Sequence, residues 1–246
     1  SIIEMAKRAE SKNNILLPSS SEMSYWENKS FMYTEFQNKN ILHPSTTIIN
    51  SKEEIPDYLE YPLLLKGEFS SGSKDIYKVL DKSDLESCIY QNNFDQKFNN
   101  LILQQLLNIR KDLRITIVDD QIVLSYWRIN PSDEWMPTAS RYGSFISFDD
   151  YPDDWTGYFL DVIRKLKLPM GAFDFAWQDD NLDSTPYLLE VSPRFSPNPV
   201  FKSPVSSYGE WKKKLFSRNS YAKLQSNLVY EINNLYLSKF FRSKKV

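Results

Sequence analysis

The sequence has very little of the residue types on which nucleophilic and zinc chemistry usually depends. Its 246 residues include one histidine, His43, and one cysteine, Cys88. A single histidine argues against a Ser-His-Asp or Cys-His centre within one chain, and against a zinc site built from histidines. A single cysteine excludes an intrachain disulfide bond, which fits a protein of the reducing cytoplasm.

Long apolar runs and an excess of either charge are lacking as well. No apolar run approaches the roughly 20 residues that a membrane-spanning helix needs, and the first residues do not have the pattern of a signal peptide. The 30 basic residues nearly balance the 32 acidic ones, which gives a formal net charge of −2. This balance gives no electrostatic reason to expect nucleic acid or membrane as a partner. We therefore expect a cytoplasmic protein that binds neither nucleic acid nor a membrane.

The length fits one large domain or two closely packed lobes, and the patterning predicts both helices and strands. Residues 1–24 are polar and are expected to be irregular. Apolar spacing predicts helices at residues 27–40, 51–61, 81–94, 153–168 and 207–241. Ser83, in the pattern Ser-Asp-Leu-Glu, is the expected N-cap of the third of these helices. Short β-type runs predict strands at residues 45–49, 62–67, 74–80, 101–107 (strand or hinge), 114–118, 121–127, 171–177 and 187–194. The proline-rich segment 192–204 should be an extended loop.

The last two predicted strands are the most informative, because a polar turn joins them into a hairpin. Side chains alternate between the two faces of a strand. One face should therefore carry the apolar residues Phe173, Phe175 and Trp177 of the first strand, and Tyr187, Leu189 and Val191 of the second.

The opposite face of this hairpin carries two acids. If the hairpin is centred near Leu182, Asp174 lies directly opposite Glu190. Like charges so placed, with Cβ atoms roughly 5 Å apart, destabilise a sheet unless a cation lies between them. Oxygen ligands suit magnesium or manganese, with phosphate completing the shell. A solvated face on which two acids merely align is the alternative that this hairpin leaves open.

Other charged and polar residues occur in a fixed order along the chain. They are Lys66, Gln104 and Gln105, Asp112 and Arg114 (D-x-R), Asp174, and Glu190, Ser192 and Arg194 (E-x-S-x-R). This ordered set resembles the ATP-grasp enzymes over residues 25–200, and in particular their carboxylate–amine and peptide ligase branch. The resemblance implies an α+β fold in which two lobes with antiparallel sheets grip a nucleotide.

The resemblance also implies a role for each residue of the set and for six further residues. ATP phosphates would contact Lys29 and Lys66, under a covering loop of Ser70, Ser71, Gly72 and Ser73. The hinge that reads adenine would be Gln104 and Gln105, and the ribose ligand would be Asp112. The ligands of Mg²⁺, or of Mn²⁺, would be Asp174, Glu190 and Ser192. The arginines that face the transferred phosphate or an acyl phosphate would be Arg114, Arg128 and Arg194.

Ordinary structural interpretations stay open for several of these residues. Lys29 and Lys66 could end their elements and reach water. Asp112 could pair with Arg114 or Lys111 on the surface, and Arg128 could be an exposed strand arginine.

The chain also departs from the family pattern at three positions. Gly67 stands where proline commonly follows the lysine, Gln105 stands where many relatives have an acid, and Ser192 stands where asparagine is usual. Only 24 residues precede the matching part, whereas most ATP-grasp ligases have a further N-terminal α/β domain there. The chain would then be a fragment or a divergent member, or another protein would supply that surface.

The function that this resemblance implies is ATP-dependent ligation of a carboxylate to an amine through an acyl phosphate, with release of ADP. The substrates would be small molecules or peptides. An ATP-grasp small-molecule kinase and a non-catalytic nucleotide-binding module are the alternatives. The expected organisation is an N-terminal remnant (1–24), two ATP-grasp lobes (25–105 and 106–205) and a helical C-terminal segment (206–246).

Overall fold

The computed structural model describes residues 2–69, 72–139, 142–147, 150–193, 195 and 234, which form two antiparallel sheets with packed helices. The helices are α1 (Ile2–Glu10), α2 (Ser20–Glu27), α3 (Lys29–Asn38), α4 (Lys82–Gln91), α5 (Phe94–Lys97) and α6 (Thr156–Leu166). The strands are β1 (Thr46–Ile49), β2 (Leu63–Gly67), β3 (Ile76–Val79), β4 (Leu101–Gln105), β5 (Lys111–Val118), β6 (Gln121–Ile129), β7 (Phe145–Ser147), β8 (Met170–Ala176) and β9 (Tyr187–Ser192). The predicted α+β class is confirmed. No helix of the described part is long and apolar enough to cross a bilayer.

The first sheet has the strand order β1-β4-β2-β3. Because side chains alternate along a strand, Leu63 and Leu65 of β2 face a core formed with α4 and α5, where Phe94 is fully buried. Lys66 therefore projects from the opposite face, and Gln104 of β4 lies on that face as well, opposite Leu64. This arrangement turns the polar side chains of the first sheet towards the second.

The second sheet has the order β7-β6-β5-β8-β9. The β5–β6 hairpin turns at Asp119 and Asp120, whose φ angles of 50° and 63° match the two-residue type I′ turn that suits the twist of a hairpin. One face of the sheet packs on α6, and the ring centroids of Phe159 and Phe175 lie 4.6 Å apart. The other face carries the charged residues of β5, β8 and β9.

Helix α3 lies where the two sheets meet. Its N-cap is Asn28, whose side chain accepts a hydrogen bond from the Phe31 amide at 2.8 Å. Its buried residues Met32 and Phe36 belong to the hydrophobic core that also contains Val191 of β9. The position of α3 brings its first turn close to the second sheet.

The prediction that residues 1–24 are irregular is wrong. Helix α1 occupies Ile2–Glu10, and α2 begins at Ser20. The serine-rich run before α2 is a helix start, because Ser19 and Glu22 form a reciprocal capping box. Serine favours both loops and N-caps, and here the glutamate three residues later distinguishes them.

Two further helix predictions need correction. Residues 51–61 contain only a 3₁₀ turn at Lys52–Glu54, because Pro56 follows Ile55 and disfavours helical geometry there. The N-cap of α4 is Asp81 and not Ser83: the Asp81 carboxylate accepts from the Asp84 amide at 2.8 Å. A charged carboxylate at this position also interacts favourably with the helix dipole.

The apolar face predicted for β9 is wrong at one residue. A β-bulge follows the Asp174–Glu190 pair, so that Phe175 pairs with Leu188. The bulge turns Leu188 into the core, where it is fully buried, whereas Leu189 is only half-buried. The predicted loop 192–204 and the predicted helix 207–241 lie outside the described residues, except for residues 192, 193, 195 and 234. The lobe boundary near Gln105 stays a prediction.

Candidate active site

Five charged residues lie in adjacent positions across the strands of the second sheet. Arg128 of β6 is opposite Asp112 of β5, and Arg114 of β5 is opposite Asp174 of β8. Asp174 is in turn opposite Glu190 of β9, as the hairpin pattern predicts. Cross-strand neighbours are close enough for direct ion pairs. The register alone therefore builds a charged row along the face that points away from α6.

Asp174 is the most heavily bonded member of this row. Arg114 donates to both carboxylate oxygens, at 2.7 Å from Nε and 2.7 Å from Nη2, and Arg128 adds a third contact at 2.8 Å. Burial alone would raise the pKa of Asp174, but the two guanidinium groups outweigh burial and lower the pKa to about 2. Two arginines thus compensate the charge of Asp174 in this structure, and its role as a metal ligand stays a prediction.

Asp112 is buried and bound on both oxygens. Arg128 donates to Oδ1 at 2.7 Å and also bonds to Oδ2, which accepts from the Thr138 hydroxyl at 2.6 Å. Burial raises the pKa of Asp112, and the Arg128 pair opposes this effect. The alternative of a surface pair with Arg114 or Lys111 is therefore wrong. Its role as ribose ligand stays a prediction.

Two buried lysines approach this row from the first sheet and from α3. Lys66 donates to the side-chain oxygen of Gln104 and to the Tyr33 hydroxyl, the latter at 3.3 Å. Burial lowers the pKa of Lys66 to about 8, although the charge of Glu190 opposes the shift. The Lys29 ammonium lies 3.5 Å from a carboxylate oxygen of Glu190. Both side chains are inward-facing and buried, which contradicts the interpretation that they reach water.

Several of these residues, from both sheets, border one cleft, whereas Lys29 and Arg114 are not part of its lining. Its polar lining consists of Lys66, Ser73, Asp112, Arg128, Thr138, Asp174 and Glu190. Its apolar lining includes Leu64, Ile76, Ile109, Trp135, Met136 and Leu189. The cleft is open to solvent on one side, and its volume of about 100 Å³ is below the roughly 300 Å³ at which small-molecule pockets begin.

The remaining predicted residues lie around this cleft or outside the described part. Gly72 adopts a φ of 62°, which favours glycine, in the loop between β2 and β3. Gln105 ends β4 with an exposed side chain whose oxygen accepts from the Ser45 amide at 3.2 Å. Ser192 is opposite Ala172, two residues beyond Glu190. Three predicted residues lie outside the described residues: Ser70, Ser71 and Arg194.

A larger hollow of about 550 Å³ lies beside β4 and the segment from Tyr58 to Leu63. Gln104 and Gln105 also border it, but none of the described residues that line it is a lysine or arginine. Polyphosphate needs cationic partners. The charged cleft is therefore the better candidate for a nucleotide site.

Two residues of the site were missed from sequence. Thr138 follows a strand in an irregular segment, and no local pattern marks it as a partner of Asp112. Tyr33 lies four residues after Lys29, and this spacing places both side chains on one face of a helix. That signal was present in the sequence, but it also fits an ordinary buried tyrosine.

The donor set fits a divalent cation that arrives with phosphate. The described residues contain no group of three or more acids, histidines or cysteines that could hold a metal by themselves. Asp174 and Glu190 face each other on adjacent strands and line the same cleft. Magnesium is commonly held by one or two carboxylates, with phosphate oxygens and water completing its shell.

Comparison with solved structures identifies the fold. The chain aligns with D-alanine–D-alanine ligase from Bacillus anthracis over 98% of its own length and 77% of the ligase, with a TM-score of 0.64 and 15% identity. It aligns with an ATP-grasp RimK domain protein from Sphaerobacter thermophilus over 85% of its length and 72% of that chain, with a TM-score of 0.61 and 14% identity. Two antiparallel sheets that enclose a charged cleft thus define an ATP-grasp fold, as the motif order predicts.

Other ATP-grasp structures are longer than this chain. The ligase PsnB is matched at a TM-score of 0.56 and 15% identity over 80% of this chain, which spans 61% of PsnB. The chain spans 46% of an L-amino acid ligase from Bacillus licheniformis. No family model and no curated protein matches the sequence. At these identities the likeness establishes the fold, and the activity must be argued from the site.

Proposed function

We propose that the protein is an ATP-dependent ligase that joins a carboxylate to an amine through an acyl phosphate and releases ADP. The observation that carries this proposal is the cleft itself, where buried Lys66 of the first sheet lies across from Arg128, Asp174 and Glu190 of the second. Lysine and arginine suit phosphate, and paired carboxylates suit a divalent cation. Phosphate and a divalent cation would thus each find suitable partners in one cleft.

The chain's own residues would act by placement and charge neutralisation. Lys29 and Lys66 would bind phosphate oxygens, and Arg114 and Arg128 would stabilise negative charge on the transferred phosphoryl group. Asp174 and Glu190 would hold Mg²⁺ (or Mn²⁺), with Ser192 as a weaker ligand. Mg²⁺ held there would supply positive charge that offsets the charge of the phosphates.

Other predicted contacts complete the nucleotide site. The loop of Ser70, Ser71, Gly72 and Ser73 would cover the phosphates through backbone amides. Adenine would bind along the hinge at Gln105, ribose at Asp112, and the acyl phosphate near Arg194.

The solved relatives support this assignment. PsnB has been solved with a minimal precursor, magnesium and ADP, and a PurK structure contains ADP. By analogy we propose a small-molecule or peptide carboxylate and an amine as substrates. A cytoplasmic location is proposed from the single cysteine alone. The longer relatives are consistent with another protein or segment that supplies part of the substrate surface.

A non-catalytic nucleotide-binding module is the second candidate. It is favoured by the three contacts that two arginines make with Asp174 and by Ser192 in place of asparagine. A small-molecule kinase would share every nucleotide contact. ADP release that requires an added amine would distinguish the ligase from both.

The first experiment is thermal unfolding with ADP and magnesium. At a ligand concentration 100-fold above its dissociation constant, binding should stabilise the fold by about 2.7 kcal/mol, which corresponds to a melting-temperature rise of about 5–11 °C. Lys66→Ala should lose most of this rise. Lys82→Ala is the matched control, because Lys82 pairs with Asp57 on the surface and should keep it. If no nucleotide stabilises the wild-type protein, the proposed function is wrong.

A further inference from the structure

The ammonium of Lys66 is buried without a carboxylate partner. The residue is 8% exposed, and its ammonium nitrogen lies more than 4.0 Å from every carboxylate oxygen of the described acids. An unpaired buried ammonium is costly, so its position depends on hydrogen-bond acceptors. Two acceptors meet it, the side-chain oxygen of Gln104 and the hydroxyl of Tyr33.

The orientation of the Gln104 side-chain amide is fixed by a hydrogen bond of its nitrogen. Its nitrogen donates to the Thr46 hydroxyl at 2.8 Å, and that hydroxyl donates its own proton to the Pro44 carbonyl at 2.7 Å. Thr46 can therefore only accept from Gln104. This fixes the amide so that its oxygen faces Lys66. Gln104 is 2% exposed and lies on the strand next to Lys66.

Tyr33 is oriented in the same way. It is 1% exposed, and its hydroxyl lies 3.1 Å from the Leu189 carbonyl and 3.3 Å from the Lys66 ammonium. The phenolic proton can be donated to the carbonyl, which leaves an oxygen lone pair for the ammonium. Tyr33 thus connects Lys66 of the first sheet to the residue that precedes Glu190 on β9. One turn earlier on α3, Lys29 contacts Glu190 directly.

We propose that Gln104 and Tyr33 are positioning residues for Lys66, which hold its ammonium at the cleft wall with two donors engaged and the third directed to a phosphate oxygen. The proposal rests on the proposed nucleotide function, and it gives the Gln104 side chain a task different from adenine recognition. Tyr33 additionally sets the distance between the phosphate-binding lysine and the strand that carries Glu190. Neither residue needs to touch the nucleotide.

The test uses variants that change the charge beside Lys66 in opposite directions. Gln104→Glu puts a carboxylate next to the ammonium and should raise its pKa, whereas Gln104→Leu and Tyr33→Phe remove an acceptor and should lower it. The pKa is read from NMR titration of labelled lysine side chains, with Lys66 assigned through Lys66→Arg. Wild-type Lys66 should titrate near its pKa of about 8. Gln105→Glu is the matched control, because its side chain lies one residue further on the other face of β4 and should leave this titration unchanged.

The second readout is the dissociation constant of ADP with magnesium. A hydrogen bond to a charged group contributes about 1.5–3 kcal/mol, so Gln104→Leu and Tyr33→Phe should raise that constant at least about ten-fold. The positioning role is supported if the pKa of Lys66 rises in Gln104→Glu and falls in Gln104→Leu and Tyr33→Phe. Shifts in the same direction, or none, overturn it. If the shifts are opposite but wild-type protein binds no ADP, the positioning of Lys66 stands and the proposed function fails.

Discussion

Replacing Asp174 by asparagine keeps the shape of the side chain but leaves Arg114 without its anionic partner. Arg114 donates two hydrogen bonds of 2.7 Å to Asp174, and the carboxylate is 3% exposed. Arg128 loses one contact with Asp174 but retains its pair with Asp112. The substitution therefore isolates one partly buried guanidinium and leaves the other ion pairs of the charged row in place.

The cost of this change follows from the burial of the two partners. Removing one member of a buried ion pair costs about 3–5 kcal/mol. The Arg114 side chain is 24% exposed, so partial hydration favours the lower end, about 3 kcal/mol. For a protein of this size, that lowers the melting temperature by about 6–12 °C. Calorimetry without nucleotide measures the shift, and Asp57→Asn is the control, because its exposed pair with Lys82 should give no resolvable change.

The stability difference between wild type and Asp174→Asn should depend on pH. The pKa of Asp174 is lowered to about 2 in the folded protein, whereas an unfolded aspartate titrates near 3.9. A lowered acid pKa gives stability that is complete above the unfolded pKa and lost as pH falls through the folded one. The stability gap between wild type and Asp174→Asn should therefore be constant near neutral pH and shrink below about pH 4. A melting-temperature loss below 2 °C, or a gap that does not change in acid, would refute the reasoning.

Three further substitutions test other parts of the site. Glu190→Gln should leave the fold intact but lower substrate-dependent ATP turnover by orders of magnitude; activity near wild type would show that Glu190 is not a metal ligand. Ser192→Asn should lower the magnesium concentration for half-maximal activity, because an amide oxygen reaches further than a hydroxyl; an unchanged requirement would exclude ligation by Ser192. Gly67→Ala should cost about 1–3 kcal/mol in urea unfolding, because its Cβ would lie 2.4 Å from the Phe98 ring; unaltered stability would mean that the ring moves without cost.

Features that depend on local periodicity were predictable from the sequence. The Asp174–Glu190 pair needed only strand alternation and a turn centred near Leu182, and the structure has that register. Helix α3 was predicted from its apolar spacing in the same way. The order of the lysines and acids along the chain was sufficient to predict the ATP-grasp fold.

Features that depend on irregularities were not predictable. The bulge between Thr116 and Ile117 shifts the β5–β6 register by one residue and places Arg128, not Trp127, opposite Asp112. Without the bulge, the side chains of Asp112 and Arg128 would point to opposite faces of the sheet and could not form an ion pair. The bulge in β9 exchanges Leu188 for Leu189 in the same manner. A bulge is a tertiary compromise between neighbouring strands, so neither strand's own pattern reveals it.

The pairing of Asp174 with two arginines also bears on how the proposed enzyme would load its ligands. An ionised carboxylate offers about four lone-pair positions, and three are engaged by Arg114 and Arg128. A metal ion arriving alone would meet a carboxylate whose charge is already compensated, next to further positive charge. An incoming triphosphate changes this balance, because its oxygens are bidentate partners for the same guanidinium groups. Under the proposed function, nucleotide and metal should therefore bind together, because the phosphates would compete with Asp174 for the two arginines.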